Sequence, residues 1–217
     1  MCHRILVAAL LIFAVPVSVP YRATAQEMVD RIVAKVESDI ILLSDIRVLS
    51  RYQAFLDGKP QTDAEILNRL IDQWIVRNEA SAARFPQPSD EEVDRSIERM
   101  KRSFGSAEAF EARQKQSGLT DEEVRRFVRA QLYLSNYLDS RFRPVIQIKE
   151  EEIEEFYKSR VVPRAESRGQ TPPPLENARD FIQEALIQRA INDQADRWLK
   201  ESRTRVRVEN LLSEKAP

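Results

Sequence analysis

The sequence predicts a mainly α-helical fold carrying a small β-sheet, and three observations support that expectation. Stretches opening on Thr62, Ser89 and Thr120 each place a Glu three residues on and then repeat apolar side chains at helical spacing. Short alternating segments stand near both ends, at residues 30–43 and 204–209. A cluster of Pro163, Gly169, Pro172, Pro173 and Pro174 breaks the helical pattern between its last two stretches.

The first strand is read from VDRIVAKV, where Ile32, Ala34 and Val36 alternate with Arg31, Val33 and Lys35. Glu37, Ser38 and Asp39 supply a turn, and Ile40, Ile41, Leu42 and Leu43 form the second arm of a hairpin. Ser44 offers an N-cap to a helix whose face is Ile46, Leu49, Phe55 and Leu56, ending near Gly58 and Pro60. After Thr62, the residues Ile66, Leu67, Leu70, Ile71, Trp74 and Ile75 make the strongest amphipathic stripe, stopped by Phe85-Pro86-Gln87-Pro88. Ser89 opens a narrower stripe of Val93, Ile97 and Met100, and a short helix holding Phe110 follows Gly105-Ser106 and ends at Gly118.

Thr120 then introduces Val124, Phe127, Val128, Leu132 and Leu138, running towards Pro144, and the acidic KEEEIEEFY has only Ile153, Phe156 and Tyr157 to bury. The final helix carries Leu175, Ala178, Ile182, Leu186, Ala195, Trp198 and Leu199, and Trp74 and Trp198 are assigned to the core. Residues 204–209 alternate strictly. Because a lone strand leaves its backbone groups unpaired, that strand is expected to join the hairpin and bring the two ends together.

Composition narrows the chemistry. Residues 1–25 read as a secretory signal peptide, with Arg4, an apolar run broken at Pro16 and the small-x-small site Ala23-Thr24-Ala25. Cleavage there removes both Cys2 and His3, the only residues of their kinds. What remains cannot build a Ser-His-Asp triad, a thiol nucleophile, a disulfide or an ordinary zinc site. Loss of Arg4 and Arg22 takes the formal charge from −1 to −3, which disfavours nucleic acid as a partner. No GxxxxGK[ST] pattern occurs, so no nucleotide is expected, and no cofactor or metal is expected either. The glutamates around Ile153 are read as a solvated helix face, because adjacent positions on a helix point in different directions.

The order of these signals resembles that of SurA-type periplasmic chaperones. The likeness rests on VDRIVAKVESDIILLSDI, DAEILNRLIDQWIVRNEA, SDEEVDRSIERM, GLTDEEVRRFVRAQLYLSNYL and IKEEEIEEFYKS, which are similar to the family's N-terminal domain. AINDQADRWLKESRTRVRVE is similar to its closing helix and strand. Family members usually carry one or two parvulin prolyl-isomerase domains between these parts. Here only residues 160–174 occupy that position, too few for a folded domain. The expected organisation is therefore a signal peptide at 1–25, a SurA-like helical domain at 26–159, a linker at 160–174, and a closing helix and strand at 175–217.

The resemblance implies an ATP-independent periplasmic chaperone that binds unfolded outer-membrane polypeptides in an apolar cleft between helices, without prolyl-isomerase activity. Met100, Phe104, Phe110, Tyr133 and Tyr137 are the candidate cleft residues, being large apolar or amphipathic groups in the less cleanly striped middle of the chain. Each has an alternative role as ordinary core. A second functional class is an assembly adaptor that binds one folded envelope partner, or itself as a homodimer through the hairpin and the apolar surface.

Overall fold

A computed structural model describes residues 30–213. The expected signal peptide, residues 1–25, lies outside the described residues. The three capping boxes set the helical frame. The hydroxyl of Thr62 accepts the Glu65 amide at 3.3 Å while the Glu65 carboxylate accepts the Thr62 amide at 2.8 Å. Ser89 with Glu92, and Thr120 with Glu123, exchange the same pair of bonds. Each box satisfies amides that the first turn of a helix otherwise leaves open. They start α2 (Asp63–Ala82), α3 (Asp90–Ser103) and α5 (Asp121–Phe142).

Helix α1 (Leu43–Asp57) begins two residues before the position that Ser44 as N-cap would give, because Leu42 takes the N-cap place. The Asp45 carboxylate accepts the Leu42 amide at 2.9 Å, and the Ser44 amide donates to Asp30 instead. Helix α4 (Ala107–Ser117) starts on Ser106 and ends at Gly118, which takes a left-handed φ of 66°. Beyond α5 a 3₁₀ turn over Arg143–Val145 leads to α6 (Glu150–Phe156).

The 160–174 segment is not simply a helix stop. A π turn over Tyr157–Val161 follows α6, and α7 (Val162–Glu166) continues the helical path before Gly169 turns it at φ 66°. Pro163 stands just after the junction of the π turn and α7, where the Val162 amide reaches back five residues to the Tyr157 carbonyl. Pro174 then supplies the N-cap position of α8 (Leu175–Arg203), and its carbonyl accepts the amides of Asn177 and Ala178. At 29 residues α8 is about 43 Å long.

Strands β1 (Ile32–Val36), β2 (Asp39–Leu42) and β3 (Val208–Asn210) form an antiparallel sheet in the order β2-β1-β3. The C-terminal strand pairs with the hairpin as expected, but it is shorter and later than 204–209. Helix α8 runs on to Arg203, and Thr204 and Arg205 turn back onto the carbonyls of Glu201 and Ser202. Ladder contact begins where the Glu37 amide meets the Arg207 carbonyl at 3.0 Å and ends where the Leu211 amide meets Val33 at 2.9 Å.

Strict alternation also fails in β1. Its register slips between Ile32 and Ala34, so Val33, Ala34 and Val36 are buried while Ile32 is 38% exposed. A bulge puts one extra residue on β1 and turns consecutive side chains towards the same side.

Two apolar clusters result. The larger is built from β1, β2, α1 to α5 and Trp198 on the C-terminal half of α8, and Trp74 lies in it with its indole N–H donating to Asp39 at 2.6 Å. The smaller gathers Ile153, Ala178 and Ile182, with Phe156, Tyr157, Val161, Leu175 and Leu186 against them. Helix α8 therefore spans both clusters. Arg143 ties α8 to α5, its guanidinium bridging Glu184 at 2.7 Å and Asp139 at 2.8 Å.

Candidate functional site

The five candidate cleft residues fall in different places. Phe110, Tyr133 and Tyr137 are 4 to 6% exposed and belong to the larger cluster. Phe110 meets Phe55 and Phe104 edge-on at 5.3 and 5.4 Å, while Tyr133 and Tyr137 pack on Phe85 at 6.0 and 5.6 Å. Met100 and Phe104 are half-buried against the same core. Met100 borders a depression of about 290 Å³ with Val128 and Leu132. Phe110 borders a different one, of about 410 Å³, whose rim holds Asp94, Glu98, Glu111 and Asp121.

A larger open groove, of about 1150 Å³, lies between the π turn with α7 and the N-terminal half of α8. Local helix geometry sets its walls. On α8, Asn177, Phe181, Ala185 and Arg189 follow at four-residue intervals and so share one face. Opposite them stand Arg160, Arg164 and Arg168, again four apart, with Val161 and Ala165 between. The Tyr157 hydroxyl donates to the Pro173 carbonyl at 2.7 Å and pins the proline run beside this groove.

Phe181 is 75% exposed, the most open of the large apolar side chains on α8. Its neighbour Ile182 is fully buried in the smaller cluster, so one side of α8 serves the core and another faces the groove. Arg160, Arg164, Arg168 and Arg189 line the groove, and no carboxylate does. None of these four guanidinium groups has an ion pair or side-chain hydrogen bond among the described residues. Elsewhere on α8, Arg179 is engaged by Glu150 and Arg203 by Asp72, while Arg197 forms no ion pair among the described residues.

Sequence reasoning missed this groove, although two signals pointed to it. Phe181 stands off the stripe of Ala178, Ile182 and Leu186, and Arg160, Arg164 and Arg168 recur at helical spacing inside a segment read as linker. Among the described residues no cluster of three or more His, Cys, Asp or Glu is placed to hold a metal ion, and no helix is long and apolar enough to cross a membrane.

The fold is a helical body closed by a three-stranded sheet, and it carries an open groove lined by apolar and cationic side chains. No family model matches the sequence. It is 30% identical to "Chaperone SurA" of Pseudomonas fluorescens over 148 residues, taking in 63% of this chain and 34% of that protein. The chain thus resembles a SurA chaperone in sequence, and it spans about a third of the length of the relative it matches.

Proposed function

We propose that the protein is an ATP-independent chaperone of the periplasm that holds unfolded outer-membrane polypeptides in its apolar inter-helix groove. The observation that carries this reading is the open groove with Phe181 at its edge, on a chain similar to a chaperone. Unfolded chains expose apolar side chains that folded ones hide, and a shallow open surface accepts them without reading a particular sequence. Phe110, Tyr133 and Tyr137 hold the scaffold together in this reading, while α7 and α8 make the client surface.

The same reading gives the protein no prolyl-isomerase activity, because residues 160–174, where the resemblance to SurA-type chaperones implies a parvulin domain, are too few to form one, and no His or Cys follows His3. The test is a light-scattering assay in which an unfolded outer-membrane protein is diluted from denaturant without nucleotide. Suppression of aggregation at near-stoichiometric ratios is expected, with prolyl isomerisation of a model peptide left at its uncatalysed rate. Absence of suppression across salt and pH, or recovery from envelope extract of a single folded partner in fixed ratio, would overturn it in favour of an adaptor.

A further inference from the structure

We propose that the α7–α8 groove selects polypeptide segments in which an apolar side chain is flanked by carboxylates. This rests on the reading of the groove as the client surface and adds the chemistry of what it prefers.

Size and charge both lead to it. From Asn177 to Arg189 the α8 wall is about 18 Å long, enough for roughly five residues of extended chain. Phe181, Ala185, Val161 and Ala165 offer that segment apolar contact along its middle. Arg160, Arg164 and Arg168 stand along the facing wall and Arg189 at one end. The chain as a whole has slightly more acidic than basic residues, yet this groove has four guanidinium groups and no carboxylate among its lining residues. The depression beside Phe110 is the reverse, with four carboxylates against Lys101 and Arg125. The sorting of charge between the two is a property of place, not of composition.

Guanidinium groups form forked hydrogen bonds with carboxylates, and a positive wall beside an apolar strip repels a segment flanked by lysine. Each exposed pair is worth roughly a two- to five-fold change in affinity, so two or three acting together give about ten-fold.

The test uses the full chain and fluorescence anisotropy of labelled peptides sharing one Phe-Leu-Phe centre, flanked by glutamate, glutamine or lysine. The acidic peptide is expected to bind about ten-fold tighter than the neutral one, and the margin to shrink as salt rises. Replacing Arg160, Arg164 and Arg168 by Gln should remove the margin between acidic and neutral peptides, while Lys at the three positions should restore most of it. All three sites are exposed, so thermal melting should be unchanged.

Equal binding of all three peptides would overturn charge selection while leaving the groove as client surface. Failure of every peptide to bind, or binding indifferent to Phe181→Ser, would overturn the client-surface reading itself. Sedimentation with phosphatidylglycerol vesicles, lost in the triple Gln variant and accompanied by no preference among peptides, would overturn the proposal in favour of a lipid surface.

Discussion

At the scale of single residues, Tyr52 shows how burial controls a titration. Its ring stacks on Phe127 at 4.4 Å inside the larger cluster, its hydroxyl reaches Gln131 at 3.4 Å, and burial pushes the phenol up from 10 to about 12. The unfolded chain therefore releases this proton first. Stability is whole below pH 10 and falls as pH rises towards 12, by no more than about 3 kcal/mol from this group. Tyr52→Phe should melt with a shallower alkaline decline, which scanning calorimetry between pH 9 and pH 12 would measure.

Gly58 makes a second case. Its φ of 68° closes α1, and an added Cβ would come within 2.7 Å of the Arg113 guanidinium. Gly58→Ala is expected to cost about 1 to 2 kcal/mol by urea denaturation, mostly from the left-handed backbone, since a flexible arginine can move aside. The sequence already marked Gly58 as a helix end, because a residue that terminates a helix acts through its own backbone. It held no sign of the neighbour, Arg113, which is brought there by α4.

Among the elements, the capped helices are the most locally determined. The carboxyls of Glu65 and Glu123 are held below the ordinary range chiefly by the backbone amides of Thr62 and Thr120. Thr62→Ala should cost about 1 kcal/mol, readable as a lower thermal midpoint without loss of cooperativity. The α5–α8 clamp behaves differently because its partners come from distant parts of the chain. The Arg143 guanidinium and the Gln188 amide hold the Glu184 carboxyl down from 4.5 to about 2. That contribution is present above pH 4.5 and is lost as pH falls towards 2, since the unfolded carboxylate takes up its proton first. The difference in thermal midpoint between wild type and Glu184→Gln should therefore be greatest near neutrality and close as the solution is acidified. Nothing in the spacing of Arg143 and Glu184 announces this pair, because only the packing of α8 on α5 brings them together.

Considered as a whole molecule, the fold depends on joining its two ends. β3 covers the edge of β1 opposite to β2, and Val206 and Leu212 around it pack on the larger cluster. A chain ending at Arg205 should lose roughly 2 to 4 kcal/mol from those contacts, and its exposed strand edge should promote association visible in analytical ultracentrifugation. Phe181→Ser is the contrasting change. Because that side chain is largely open to solvent, the substitution should leave the unfolding free energy within about half a kcal/mol of wild type while reducing the aggregation suppression proposed above.

The sequence alone determined the helical body, the capped starts at Thr62, Ser89 and Thr120, both core tryptophans and the return of the C-terminal strand to the hairpin. Capping residues, helical periodicity and an unpaired strand's need for a partner are all written within a few neighbouring positions. Tertiary structure alone decided that Val33 rather than Ile32 turns inward, that Phe110, Tyr133 and Tyr137 are enclosed, and that α7 folds beside α8 to leave Phe181 and four arginines around a groove. Each of those outcomes depends on which surface of one element meets another, and residues far apart in the chain settle that only when they pack.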